Sequence, residues 1–441
     1  MSTAVAGGRE LLIRGRSYPV VLPTLKDPRL HLAAVIVSLQ VLGQVAFDFR
    51  LSIAQILIAV GTCGVLELAI AFWREHVVLW PASALLTGNG VAFILRVQGT
   101  EHGDWWSTRG WWIFAATAAV SLLSKYVIKL RGEHIFNPSN IGLVICFLAL
   151  GSSRVEPLDF WWGPLSVWMV VALVIIVGGG LAILARLQLL SIAVGFWVAF
   201  AAGIGALALS GHAMTARWHL GPITGFHFWW VLVTSPEILV FLFFMITDPK
   251  TSPRETRARI AYAVSIGLLA ALLVAPARTE YWSKVAVLGA LAIVCLARSL
   301  YVRFAPEFRL GRPRLALAGA LVLVLYGGGL YAAGIHARSS SSARGFLYNG
   351  PLPQIAILPS KGVDTKLNQK TAERIVRDLM ADLPRADRDR LDRVSLWLEP
   401  GAQGGSTPFA RLEPGHEKVE LGLKRGHYAI TSRRTSPRSV S

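Results

Sequence analysis

Residues 51–72 read LSIAQILIAVGTCGVLELAIAF, an apolar run whose single charge is Glu67. A hydrocarbon core of about 30 Å takes about 20 mostly apolar residues of helix. Inside it a backbone must satisfy its own hydrogen bonds. This stretch therefore reads as a membrane-spanning helix. Working outward, the same pattern recurs at about 31–47, 79–95, 111–130, 138–150, 162–185, 187–209, 228–246, 259–275, 283–301 and 315–335. The fifth of the eleven, 138–150, is short and reads as a broken or half-spanning helix. The fold class is all-α: a polytopic transmembrane helical bundle of about 10–11 spans over 31–336. A polar segment at 1–30 precedes it, and a small polar region at 337–441 follows.

Composition agrees. The chain of 441 residues has a mean hydropathy of +0.51 and only 16% charged residues, against about 25% in soluble domains. Its net charge of +18 does not point to nucleic acid. Most basic residues of the first 336 positions flank spans, where Lys and Arg set topology. Lys125, Lys129 and Arg131 form one such loop, Lys250, Arg254, Arg257 and Arg259 a second, and Arg298 to Arg314 a third. Opposite loops, near Asp48, Glu101–Asp104 and Arg154–Asp159, carry more balancing acids. The asymmetry predicts a cytoplasmic N-terminus. Residues 1–27 lack the apolar core of a cleavable signal. Cys63, Cys146 and Cys295 stand singly in apolar runs and read as buried small residues.

After His336 the character changes. A serine run at 339–342 opens about a hundred polar residues. Within them 369–383 has helical spacing at Ile375, Leu379 and Leu383, and 394–398 and 428–431 read as strands. The region reads as a soluble tail or small domain without a catalytic constellation.

Three polar interruptions remain as candidate sites. Ser83-Ala84-Leu85-Leu86-Thr87-Gly88-Asn89-Gly90 lies inside the third span, where glycines flanking Asn89 permit a helix break or a close helix contact. Phe136-Asn137-Pro138-Ser139-Asn140 opens the fifth, with Asn137 as helix cap and Pro138 at the first helical position. Such a start offers N–H groups and a positive dipole end to a phosphate or an electron-rich ring edge. Met245-Ile246-Thr247-Asp248-Pro249-Lys250-Thr251 closes the eighth span as a turn. Just upstream, Glu237 at the start of an apolar helix needs a partner or water. From these, Thr87, Asn89, Asn137, Asn140, Asp248, Lys250 and Thr251 are the candidate cofactor-binding residues; no catalytic residue is assigned. His212, His219 and His227 lack metal-ligand spacing, so no metal is expected. Tryptophan pairs at 105–106, 111–112, 161–162 and 229–230 read as interfacial belts.

The order of these interruptions resembles the RnfD/NqrB superfamily, membrane subunits of ion-coupled electron-transport complexes. Ser83-Ala84-Leu85-Leu86-Thr87-Gly88, Phe136-Asn137-Pro138 and Phe243-Phe244-Met245-Ile246-Thr247-Asp248-Pro249-Lys250-Thr251-Ser252-Pro253 look like three of its motifs. The run from Phe136 to Gly142, the stretch at 151–162 and Ser210-Gly211-His212-Ala213-Met214-Thr215 are similar to the UnbU-type branch, encoded with enediyne polyketide biosynthesis. The resemblance implies a flavin, FMN or riboflavin, held noncovalently. The family's serine-glycine-alanine-threonine motif for esterified FMN is missing, which argues against covalent flavin at Thr215.

Three functions follow from this reading. One is a redox component, flavin-linked, serving enediyne-type antibiotic biosynthesis beside redox or biosynthetic protein partners. The second is a transporter or exporter of a hydrophobic product or small solute, since broken helices meeting at depth are also a transporter device. The third is a noncatalytic membrane scaffold acting through its tail.

Overall fold

A computed structural model describes residues 10–13, 15–24, 27–130, 132–152, 154–158, 166–214 and 223–304, together with strands of the C-terminal region. Two compact units divide the chain. One takes Met1–Ile204, Val231–Val274 and Ser283–Leu323; the other takes Gly205–Trp230, Ala275–Trp282 and Val324–Ser441.

The helices follow the apolar runs. They are α1 (Pro28–Ala46), α2 (Ile53–Ile70), α3 (Ala82–Ile94), α4 (Trp111–Val127), α5 (Pro138–Leu150), α6 (Val167–Leu187), α7 (Leu190–Leu209), α8 (Gly225–Thr234), α9 (Pro236–Val240), α10 (Thr256–Val274) and α11 (Glu280–Phe304). Two π-helical turns, Ala71–Glu75 and Phe241–Met245, extend α2 and α9. Seven helical segments are long and apolar enough to cross a membrane, while α3, α4 and α5 are shorter. The chain is thus a multi-pass, mostly helical membrane protein, as the apolar runs require. The predicted span at 315–335 and the helical pattern at 369–383 lie outside the described residues.

Local chemistry fixes where the helices begin. Asp27 accepts from the Arg29 N–H ahead of Pro28. Ser52 and Gln55 close a reciprocal capping box at α2, which satisfies two otherwise orphaned donors. Asn137 caps α5 with Pro138 at its first position, as the sequence predicts. Ser166 caps α6, and Ser235 caps α9 ahead of Pro236.

Short strands tie the helix ends. The antiparallel hairpin β1 (Glu10–Ile13) and β2 (Arg16–Val21) pairs in parallel with β3 (Val78–Leu79), and Tyr18 stacks on Phe72 at 4.9 Å. β4 (Leu95–Val97) pairs with β7 (Val155–Pro157), and β5 (Lys129–Leu130) with β6 (Glu133–His134). In the second unit β8 (Ala213–Met214) pairs with β9 (Ile223–Thr224). The same unit holds a six-stranded sheet of β10 (Phe346–Tyr348), β11 (Gln354–Pro359), β12 (Arg393–Leu398), β13 (Lys418–Lys424), β14 (His427–Arg434) and β15 (Ser436–Val440), in that spatial order. β12 and β14 fall on the two predicted strand segments.

One expectation is narrowed and one corrected. Of the two readings open for residues 83–90, a helix break or a close helix contact, the second holds: α3 runs unbroken through Gly88 and Gly90. A methyl group on Gly88 would lie 2.6 Å from the Ala59 carbonyl oxygen and 2.7 Å from the Val60 Cα. The glycine serves a close approach of α2 and α3, which outweighs its poor helix propensity. Lys125 is not a loop charge. It sits in the last turn of α4 and is largely buried.

Candidate functional site

The helix start at Asn137 is where several elements converge. Asn137 Oδ1 accepts from the Asn140 N–H at 3.2 Å and from Ser139 Oγ at 2.9 Å. Its Nδ2 donates to the Met245 carbonyl, at 3.2 Å, on the π-turn that follows α9. Asn140, 1% exposed, donates from Nδ2 to the Leu288 carbonyl of α11 at 3.0 Å. Its Oδ1 is buried and has no partner among the described residues. From the α3 side Gly90 abuts Ser139: a methyl group on this glycine would lie 3.4 Å from Ser139 Oγ. Thus α3, α5, the second π-turn and α11 meet here.

The 13 residues of α5 rise about 20 Å, two-thirds of a 30 Å hydrocarbon core. Leu288 lies eight residues inside α11, about 12 Å along it. A helix this short leaves one end short of a membrane face, and backbone outside helical geometry at such depth must be buried by other helices.

Of the seven candidate residues, the structure gathers Asn137 and Asn140 directly. Thr87 and Asn89 are buried on the neighbouring α3, and Thr87 Oγ1 donates back to the Ser83 carbonyl at 2.9 Å. Asp248, Lys250 and Thr251 form a separate turn. Asp248 Oδ1 accepts from the Lys250 N–H at 3.0 Å, and His134 Nε2 stands 3.8 Å from its other carboxylate oxygen. Arg298 donates to the Thr251 carbonyl at 2.5 Å, ten residues and about 15 Å further along α11 than Leu288. Lys250 is exposed and stands apart. The polar run at 247–252 thereby closes a helix and docks its turn on α11.

Sequence reasoning missed two buried ion pairs. Glu67 on α2 holds Lys125 Nζ at 2.8 and 3.1 Å, and the same Nζ lies 3.4 Å from Ser83 Oγ. Glu237 on α9 lies 3.3 Å from Lys284 Nζ, which also donates to the Leu158 carbonyl at 2.9 Å. Glu237 therefore has the partner its position demanded. The usable signal for Glu67 was its isolation in an otherwise uncharged span.

In the second unit, His212 is fully buried against Phe228, with ring centroids 4.9 Å apart. Its ring faces the Ala277 backbone, but neither nitrogen closes a hydrogen bond of normal geometry among the described residues. Burial pushes the imidazole down to about 4. Thr215, Arg217, Trp218 and His219 lie outside the described residues, as does the tryptophan pair at 161–162.

A separate cavity of about 310 Å³ is lined by Leu68, Ala69, Phe72, Trp73, Val77 and Val78. Its lining is apolar and offers no partner to the polar edge of a ring. The polar junction at α5 is the better candidate.

Residues 151–288 match the family of NQR2, RnfD and RnfE. The matched segment holds α6 to α10 and the Phe243–Pro253 motif, while the motifs at 83–88 and 136–138 precede it. It supports kinship with the RnfD/NqrB superfamily, whose members are generally linked to electron-transport complexes and generally bind flavin. No curated protein matches the chain.

Proposed function

We propose that this chain is a membrane redox component that holds a noncovalent flavin, FMN or riboflavin, at the start of α5. The observation that carries the reading is Asn140 Oδ1, a buried acceptor at a helix N-terminus that has no partner among the described residues. An isoalloxazine edge presents an imide N–H between two carbonyls. Asn140 would accept from that N–H, and the helix start would donate toward a carbonyl. Thr87 and Asn89 on α3 would flank the ring, and Asn137 would hold the helix start in place. Asp248, Lys250 and Thr251 would act further off, on the turn that anchors the second π-helical segment. The flavin when bound supplies the electron transfer; the protein orients it and excludes water.

The resemblance of residues 136–142, 151–162 and 210–215 to UnbU-type proteins supports a redox role in enediyne-type biosynthesis, with soluble redox or biosynthetic proteins as partners. The distribution of Lys and Arg among the loops supports a cytoplasmic N-terminus.

Detergent-purified protein is expected to show flavin absorbance that bleaches on reduction. Denaturation should release the chromophore into the filtrate, and Asn140→Leu should lower its occupancy at unchanged yield of folded protein. Colourless wild-type protein would overturn the reading. A chromophore that stays with the denatured chain would overturn noncovalent binding.

A further inference from the structure

The two stretches of chain that meet at Asn137 meet again a few residues away. Asn137 Nδ2 donates to the Met245 carbonyl. His134, the last residue of β6, stands three residues before Asn137, and Asp248 stands three residues after Met245. Their side chains face each other, His134 Nε2 at 3.8 Å from Asp248 Oδ2, and are only 10% and 19% exposed. The pair lies between the junction and the C-terminal end of α11. Asn140 bonds that helix at Leu288, whereas the turn of Asp248 bonds it at Arg298, about 15 Å further on and six residues from its end.

The ionisable groups around this pair have contacts of their own. Lys129, in register with His134 across the β5–β6 pair, stands over the Tyr126 ring at 5.3 Å. Glu133 faces Arg254 at 3.8 Å, the Tyr262 hydroxyl of α10 contacts the Cys295 thiol of α11 at 3.6 Å, and Arg298 holds the Thr251 carbonyl. Lys250, on the Asp248 turn, is exposed. Histidine is the side chain suited to trading a proton near neutral pH. We infer that His134, oriented by Asp248, passes protons between bulk water and the flavin site; the inference rests on the flavin reading above. A flavin that takes two electrons, one at a time from a soluble one-electron carrier, also binds a proton at a ring nitrogen. The carrier brings none. As imidazolium, His134 releases its Nε2 proton toward the ring and recovers one from water near the end of α11. On reoxidation the proton returns by the same route. From His134 to Asn137 is at most about 11 Å of chain, short enough for water to bridge.

The test uses the detergent-purified full chain with its flavin, mixed with enough dithionite that the rate of bleaching no longer follows its concentration. His134→Gln is expected to bleach about 100-fold more slowly at equal flavin content, to speed up as pH falls, and to be rescued by added imidazole. Asp248→Asn should slow bleaching by less. His31→Gln, at an exposed position of α1, should bleach like wild type. Isotopic labelling of histidine ring nitrogens should shift bands in the infrared difference spectrum between oxidised and reduced protein, and His134→Gln should lose those bands. Bleaching of His134→Gln at the wild-type rate would overturn the inference and leave the flavin reading standing. Slow bleaching that neither acid nor imidazole relieves would also overturn it, since His134 would then only shape the site. Wild-type protein without a chromophore would remove both.

Discussion

Glu67 and Glu237 repeat one local design on two helices, and differ in what that design holds. Each glutamate stands four residues ahead of a π-helical turn, and each backbone carbonyl accepts from the first residue of that turn, Ala71 or Phe241. Each carboxylate meets a lysine from another helix. Lys125, however, gives both of Glu67's oxygens a short contact and leans on Ser83, binding α2, α3 and α4 at one level. Lys284 divides itself between Glu237 at 3.3 Å and the Leu158 carbonyl at 2.9 Å, so it ties a loop to two helices. The same pairing serves as a helix lock in one place and as a loop clamp in the other. A π-turn beside each pair fits the frequent use of such turns at functional positions.

The largest effect should follow from removing Lys125. Lys125→Met strips the buried Glu67 carboxylate of its lysine and leaves it the Tyr126 hydroxyl, and breaking such a pair costs about 3–5 kcal/mol. Thermal unfolding in detergent should show a large loss for the single variant. Glu67→Leu/Lys125→Met should recover most of it, because both desolvated charges are then gone. A double variant as unstable as the single one would show that α2 is held by packing, and would break the comparison. Lys284→Met should lose less, about 2–3 kcal/mol, since the contact is longer and a charged hydrogen bond is the main loss. If it proves the more damaging, the lock and the clamp exchange places.

Packing on α2 gives a third measure. Gly88→Ala sets a methyl 2.6 Å from backbone of α2 and should cost about 1.5 kcal/mol through overpacking. Gly90→Ala meets only Ser139, at 3.4 Å, and should unfold with wild type. Equal melting of the two would show that α2 and α3 separate freely, leaving Lys125 to hold them alone.

What could be read from sequence divides along the same line. Span positions and the Asn137–Pro138 cap depend on residues within a turn or two of one another, and the structure reproduces the cap and the ten spans that fall on described residues. The pairing of Glu67 with Lys125 joins residues 58 apart through the arrangement of three helices. No local pattern encodes it, so Lys125 read as an ordinary loop charge. The run at 83–90 left two readings open for a related reason: glycine and asparagine signal breaks by propensity, and contact with α2 overrides propensity. At the candidate site the cap was legible. The convergence of Met245 and Leu288 on Asn137 and Asn140 was not, because it depends on where α9 and α11 pass. The π-turns left no trace at all, since a one-residue change of hydrogen-bond register alters no hydrophobic period visible over five residues.

His212 supplies the contrast to both ion pairs, a buried titratable ring without a counter-ion among the described residues. Its folded-state value near 4 lies below the ordinary 6.5, so folding favours the neutral ring. The stability this contributes is fully present above pH 6.5 and is lost as pH falls toward 4, because only the unfolded chain binds the proton easily. By pH 5.5 the loss should reach about 1 kcal/mol. Unfolding measured at pH 7 and 5.5 should show that difference in wild type and not in His212→Leu, which keeps the ring's apolar contacts without its titration. A slope that survives in His212→Leu would assign the proton to another group. The contrast between the paired glutamates and the unpartnered ring would then have to be redrawn.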